Sequence, residues 1–196
     1  IKEIFSGDYF KLALDTNDNL WGWGNNSYGE LGINNEEHKG SDYLFEGNKY
    51  GKPIEIMKNV ELVNTGRFHT IVLTKDGELL AWGRNTHSQL GGHIELYDSV
   101  PQIIQGIPKI EKLPERANQT MVVIDVNKRA WSWGINRRNE FSHRDGDRGR
   151  VDTNRVQSTP GLVYFNDDTL VEGVTDVTAH NRQIIVGVGG NKFYGI

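Results

Sequence analysis

The chain has 196 residues, a formal net charge of -4 and no cysteine. The small acidic excess argues against nucleic acid as the main ligand, because general binding to nucleic acid requires a basic face. The lack of cysteine excludes disulfides and thiolate metal sites, and no run is long and apolar enough to predict a transmembrane helix. The start, "IKEIFSGDYF", has neither a signal-peptide pattern nor an initiator methionine, so we expect the sequence to come from inside a longer protein.

A segment rich in tryptophan, glycine and asparagine recurs along the chain. Its copies read "LWGWGNNSYGELG" from residue 20, "LLAWGRNTHSQLG" from residue 79 and "AWSWGINRRNEFS" from residue 130, and a shortened copy, "KFYGI", ends the chain. The anchoring aromatic residues stand at positions 23, 82, 133 and 194. Self-similarity at this spacing is typical of propellers, solenoids and other repeat arrays.

Short predicted strands precede each copy in chain order. The apolar runs are "LAL" from residue 12, "IVL" from 71, "MVVI" from 121 and "IIV" from 184, and each leads through a turn into the aromatic segment. The turn at Asp76–Gly77 is a strong hairpin signal, because both residues tolerate positive φ. No segment has helical periodicity. The pattern predicts an all-β domain over residues 1–196, with about four strands per repeat as in a propeller blade and repeats near 1–59, 60–109, 110–173 and 174–196.

The recurring tryptophan and glycine are predicted to be structural. We expect each tryptophan to fill the space between neighbouring blades and each following glycine to let the backbone turn tightly beside it. These positions are Trp23, Gly24, Trp82, Gly83, Trp133 and Gly134.

The combined motifs resemble the repeat of the regulator of chromosome condensation family. That repeat joins a "GxxHT" strand, a "DG" hairpin and a "WGxNxxGQLG" closing loop, and the second copy here has all three, with Gly66 and His69 in the strand motif. Phe10, Thr120 and Arg182 stand where the other copies would have the histidine. The resemblance implies a β-propeller of this type, usually seven-bladed. It also implies a structural role for Gly66 and His69, and the chain offers only about three and a half repeats, a partial ring.

The resemblance implies several functions, because family members include an exchange factor for a small GTPase, a plant ultraviolet-B photoreceptor and a bacterial enzyme inhibitor. Our first hypothesis is a non-catalytic protein-interaction scaffold, a segment or subunit of a larger assembly with a protein partner. Guanine-nucleotide exchange on a small GTPase and secreted enzyme inhibition are the alternatives. No residue pattern predicts catalysis, a cofactor or a metal site, since none of the six histidines has a ligand spacing.

Two surface segments are the predicted partner contacts. One is an arginine-rich stretch in the third copy, with Arg137, Arg138, Arg144, Arg148 and Arg150; it fits an acidic protein surface or phosphate, or is simply a solvated loop. The other is an insert with Tyr43 and Phe45, whose aromatic residues suit an interface or pack on the blade that carries them.

Overall fold

The computed structural model describes residues 1–34, 49–93, 95–114, 119–135, 156–165, 167, 169–180, 183–190 and 192–195. These residues form strands and turns, with no helix among them. The strands are β1 (Glu3–Ser6), β2 (Phe10–Leu14), β3 (Leu20–Asn25), β4 (Lys49–Met57), β5 (Val60–Thr65), β6 (His69–Thr74), β7 (Leu79–Arg84), β8 (Tyr97–Ile103), β9 (Ile110–Lys112), β10 (Thr120–Asp125), β11 (Ala130–Ile135), β12 (Val156–Leu162), β13 (Val174–His180), β14 (Gln183–Val188) and β15 (Lys192–Gly195).

The strands form four antiparallel sheets, each built from strands consecutive in the chain. Sheet 1 is β1–β4, sheet 2 is β5–β8 and sheet 3 is β9–β12, while sheet 4 contains β13–β15. The prediction of an all-β repeat fold is therefore confirmed. Arg182, the residue predicted to replace the histidine in the fourth copy, lies outside the described residues.

The chain divides into two compact units. The first contains Ile1–Thr86 and Glu95–Ile103, and the second contains His87–Ile94 and Ile104–Ile196. The core of the first unit combines apolar residues of sheets 1 and 2, among them Leu12, Leu20, Val72 and Trp82. Because fully burying one such side chain stabilises a protein by about 1.5–3 kcal/mol, each sheet of this unit depends on the other.

The core of the second unit is built in the same way. It combines Val122 and Ile124 of sheet 3 with Val177, Ile184 and Val186 of sheet 4, all nearly inaccessible to solvent. β10 and β14 each contribute alternate residues to this core, as expected for strands whose successive side chains point to opposite faces.

The hairpin turns explain the aspartates at strand ends. The Asp15 carboxylate accepts hydrogen bonds from backbone N–H groups of its own turn and from Trp21 Nε1 at 2.9 Å. These bonds, that of Trp21 foremost, hold the pKa of Asp15 well below its usual range. Asp125 repeats the arrangement with Trp131 Nε1 at 2.9 Å. Sheet 2 has the shorter Thr74 at this position, whose hydroxyl accepts the N–H of Glu78.

Candidate functional site

The predicted structural tryptophans differ in burial. Trp82 and Trp133 are completely buried, whereas Trp23 is half-buried. The two buried indoles each donate a hydrogen bond to a backbone carbonyl of the preceding closing loop, to Glu30 O and to Gln89 O, at 2.9 Å in both cases. Residues 25–32 are called here the first closing loop and residues 85–91 the second. Each buried tryptophan therefore fastens its sheet to a loop of the repeat before it.

The glycine after each tryptophan has a backbone reason. Gly24, Gly83 and Gly134 have φ of 105°, 101° and 98°, a region that L side chains rarely adopt. A Cβ at these positions would lie 2.2–2.5 Å from a carbonyl oxygen of the facing strand end. The next residue donates its N–H to that same carbonyl, for example Arg84 N to Phe68 O at 2.8 Å. The close contact at each glycine is thus with the opposite backbone, and not with the tryptophan ring.

Gly66 and His69 are packed against each other. His69 is buried, and a Cβ on Gly66 would lie only 1.9 Å from its Cε1 atom. Burial lowers the pKa of His69 to about 4, so the ring is neutral at pH 7. In the first repeat Phe10 occupies the same position, and Gly7 makes room for it. The third repeat has the smaller Thr120 and, in sequence, Ala117 in place of the glycine. The two repeats with a ring at this position thus have a glycine three residues before it, and the repeat without a ring has no glycine there.

The closing loops differ in one buried side chain. Glu30 and Gln89 occupy equivalent positions, and each accepts the backbone N–H of the residue two before it, at 2.9 and 2.8 Å. Burial raises the pKa of Glu30 to about 7, although two backbone N–H groups donate to its carboxyl and oppose that rise. Glu30 Oε1 is buried without a hydrogen-bond partner.

The predicted partner-contact residues lie outside the described residues. This holds for all seven: Arg137, Arg138, Arg144, Arg148, Arg150, Tyr43 and Phe45. Their role in binding stays a prediction.

A cluster of aromatic and charged side chains, which the sequence interpretation missed, lies at the loop tips of the first unit. Tyr9, from the turn between β1 and β2, stacks on Phe68, from the turn between β5 and β6, with ring centroids 6.2 Å apart and planes 19° apart. Tyr28 of the first closing loop meets the same Phe68 ring at 5.5 Å. Tyr9 is 52% exposed. The three rings, with Asp8, Arg67 and Arg84, are called here the loop-tip cluster.

Two arginines of the loop-tip cluster stack on these rings. Arg67 Cζ lies 5.2 Å from the Phe68 centroid, and Arg67 Nε is 2.6 Å from Asp8 Oδ2. Arg84 Cζ lies 5.0 Å from the Tyr28 centroid and 5.6 Å from that of Phe68. Guanidinium groups at such distances are attracted by the negative face of the ring. The cluster thus offers exposed aromatic surface beside fixed positive charge.

The repeat positions of these residues are a usable sequence signal. Asp8–Tyr9 and Arg67–Phe68 occupy the two variable positions of the "GxxHT"-like turns in consecutive repeats. Opposite charges and paired aromatics at equal offsets indicate contact between neighbouring turns. A single copy of the repeat does not reveal this contact. It can be recognised only when two copies are aligned and their variable positions are compared.

Within the described ranges, the structure provides no constellation for catalysis or metal binding. No group of three metal-ligating side chains comes together there. A cavity of about 530 Å³ is lined by Asn34 and residues 95–100; its lining includes Ser99 and two carboxylates but no histidine to act as a base. In that same part of the chain, no helix has the length and apolar character needed to cross a bilayer.

Repeated antiparallel sheets of consecutive strands, two of them bonded through a buried tryptophan to the preceding closing loop, define blades of a β-propeller. The chain belongs to the family of the regulator of chromosome condensation (RCC1) repeat: one family model matches residues 1–30 and 60–89, and a second matches residues 17–73. It accordingly forms part of a propeller of this type.

Known proteins agree with this assignment. Human E3 ubiquitin-protein ligase HERC2 is 31% identical over 134 residues, which is 67% of this chain and 3% of the ligase. Human WBSCR16 shares the fold with a TM-score of 0.76 and 18% identity, over 98% of this chain and 46% of that one. Prp20p of Saccharomyces cerevisiae, studied for its binding to Gsp1p and histones, has a TM-score of 0.64 and 19% identity over 85% of this chain and 39% of its own. The chain spans 3–34% of the length of the first curated relatives it matches.

Proposed function

We propose that this chain is a non-catalytic protein-interaction scaffold, a segment of a larger assembly, and that the loop-tip cluster is one of its contact surfaces. The observation that carries the proposal is the exposed Tyr9 ring stacked on Phe68, a ring that Arg67 and Arg84 also contact. Tyrosine and arginine are enriched among the residues that dominate binding energy at protein interfaces. Loops that stand on a rigid sheet are also the usual place for binding residues.

Backbone hydrogen bonds hold this surface in one arrangement. Asp8 N donates to Arg67 O at 3.2 Å and joins the two turns, while Asn25 N donates to Tyr9 O at 2.9 Å. Because these loops are already ordered, a partner would lose little additional conformational entropy on binding. The relatives support an interaction role: HERC2 is a ubiquitin ligase of which this chain covers a small part, and Prp20p binds Gsp1p and histones.

The test compares partner capture by matched variants of this chain. Tagged wild-type chain, Tyr9→Ala, Arg67→Ala and the control Ile4→Ala are incubated with extract from the source organism, and captured proteins are quantified by mass spectrometry. Ile4 is 62% exposed and lies on β1 of the same unit, outside the cluster. We expect a stoichiometric partner to be lost from both cluster variants and retained by the control. Equal capture by all four chains would refute this surface as the contact.

Guanine-nucleotide exchange on a small GTPase is the second candidate. It is supported by the shared fold with Prp20p, whose studied partners include Gsp1p. The test measures release of a fluorescent guanine nucleotide from a panel of small GTPases with and without the chain. Stimulated release from one of them would favour exchange over a passive scaffold. Unchanged release across the panel would eliminate exchange by this chain alone.

A further inference from the structure

Among the described residues, three arginines lie over aromatic rings, and Arg84 differs from Arg67 and Arg129 in having no carboxylate partner there. Arg129 Cζ lies 5.9 Å from the Trp131 ring, and its Nη2 atom is 2.8 Å from Asp125 Oδ2. Arg84 Cζ contacts both the Tyr28 and Phe68 rings, and within the described ranges its side chain has no ion pair or side-chain hydrogen bond. Its Nε is buried without a hydrogen-bond partner. Arg129 is therefore neutralised locally, whereas Arg84 has no carboxylate partner among the described residues.

The surroundings of Arg84 suit it to receive an anion. An acceptor from outside the chain cannot reach the buried Nε; it would pair with the accessible part of this half-buried side chain. Contact with two rings restricts the guanidinium, and a guanidinium held in place is matched to the two oxygens of a carboxylate. Arg67, the other arginine of the cluster, is already paired with Asp8. As far as the described residues show, the unmatched positive charge of the cluster is thus at Arg84.

We propose that the loop-tip cluster binds an acidic segment of a partner protein, with a carboxylate of the partner at Arg84 and apolar contact on Tyr9. This inference rests on the interaction role proposed above and adds the chemistry of the partner. Asp8 offsets one of the two arginines, so the cluster has too little positive charge for a polyanionic backbone, which requires a basic face. A second copy of this chain, with its own net charge of -4, would meet long-range repulsion.

The experiment uses a fluorescein-labelled peptide that alternates glutamate and glycine around one phenylalanine, and a twin with glutamine in place of every glutamate. Binding to the whole chain is measured by fluorescence anisotropy at low and high salt. We expect the glutamate peptide to bind at least about tenfold tighter than its twin, since charge-assisted hydrogen bonds are worth about 1.5–3 kcal/mol. Added salt should reduce that difference.

Matched variants assign the effect to Arg84. Arg84→Gln is expected to abolish the preference for the glutamate peptide, Arg84→Lys to retain part of it, and the control Arg129→Gln to retain all of it. Thermal unfolding of each variant checks that it is folded. Should Arg84→Gln fail to fold, the behaviour of wild type and Arg84→Lys decides the question.

Several outcomes would overturn the acidic-partner inference. They are equal binding of the two peptides, a preference that survives in Arg84→Gln, displacement by inorganic phosphate together with stronger binding of a phosphoserine peptide, and a dimer whose interface covers the cluster. The first three results leave partner capture by Tyr9→Ala and Arg67→Ala untouched, whereas a dimer that covers the cluster would be visible in both tests. The inference can therefore fail while the proposed interaction role stands, and the converse also holds.

Discussion

The first and second closing loops perform the same structural task with different chemistry. In each, a backbone carbonyl accepts the indole N–H of a buried tryptophan, at Glu30 for Trp82 and at Gln89 for Trp133, over 2.9 Å. In each, the side-chain oxygen of that same residue accepts a backbone N–H from within the loop. The position therefore requires an acceptor that can be buried.

The difference between the loops is that one acceptor titrates. The glutamine amide is neutral at every pH, whereas burial raises the pKa of Glu30 to about 7. A buried charge is costly unless it is paired, and Glu30 Oε1 has no hydrogen-bond partner. Glutamate and glutamine can therefore make the same hydrogen bonds at this position. They differ in their effect on stability, because only the loop with the glutamate becomes less stable as the pH rises.

The largest expected effect comes from removing the two buried tryptophan side chains that bond to the closing loops. Trp82→Ala and Trp133→Ala are each expected to lower the free energy of unfolding by about 3–5 kcal/mol, the usual cost of truncating a buried tryptophan. Urea denaturation measures the loss. Hydrogen exchange should place it in the first unit for Trp82→Ala and in the second for Trp133→Ala. Ile4→Ala is the control, and an anchor variant no less stable than this control would contradict the role assigned to that indole.

Exchanging the two acceptors tests the titration directly. The folded-state pKa of Glu30, about 7, exceeds its ordinary value of 4.5, so its stabilising contribution is complete below pH 4.5 and is lost as the pH rises through 7. Glu30→Gln is therefore expected to exceed wild type in stability at pH 8, by on the order of 3 kcal/mol, and to match it closely at pH 4.

The reciprocal variant is the control for this exchange. Gln89→Glu is expected to add a second decrease in stability as the pH rises, because it places an acid in the same buried position of the other loop. Urea denaturation at pH 4, 6 and 8 measures both variants. Parallel stability curves for wild type and Glu30→Gln across this range would show that the Glu30 carboxyl does not titrate as described.

The opposite pH dependence is expected from His69. Its folded-state pKa, about 4, lies below its ordinary value of 6.5, so its contribution is complete above pH 6.5 and is lost as the pH falls towards 4. At pH 5 the wild type should have lost about 2 kcal/mol of its free energy of unfolding through this titration. His69→Phe, which copies Phe10 of the first repeat, should not show that loss. Any hydrogen bond lost with the imidazole would shift stability equally at pH 7.5 and pH 5. Only a change in the difference between these two pH values therefore reports the titration, and an unchanged difference contradicts it.

Some of these features could be predicted from the sequence because their causes are local. The Trp-Gly-x-Asn pattern carries a bulky indole and a positive φ in adjacent residues, and both recur whenever the strand geometry recurs; the all-β propeller fold followed from it. The loop-tip cluster was missed because its contacts join distant residues, such as Asp8 and Arg67, 59 positions apart. The burial of Glu30 was equally hidden, since an acid and an amide fit the motif alike.

The smallest expected effect comes from a hydroxyl group that bonds to the first closing loop and has no counterpart at the second. Thr70 Oγ1 donates to Glu30 O at 2.9 Å, the same carbonyl that Trp82 uses. Met121, the equivalent residue of sheet 3 by strand register, has no hydroxyl, and Thr120, at the position of His69, donates to Ile135 O of its own sheet at 3.1 Å. Thr70→Val and Thr120→Val should each cost about 0.5–1.5 kcal/mol. Hydrogen exchange should increase in the first closing loop for Thr70→Val, because one of the two donors that hold that loop is removed. For Thr120→Val it should increase only between β10 and β11. If Thr70→Val left exchange in the first closing loop unchanged, the hydroxyl of Thr70 would contribute nothing to holding that loop. The first and second closing loops would then differ only in having Glu30 in one and Gln89 in the other.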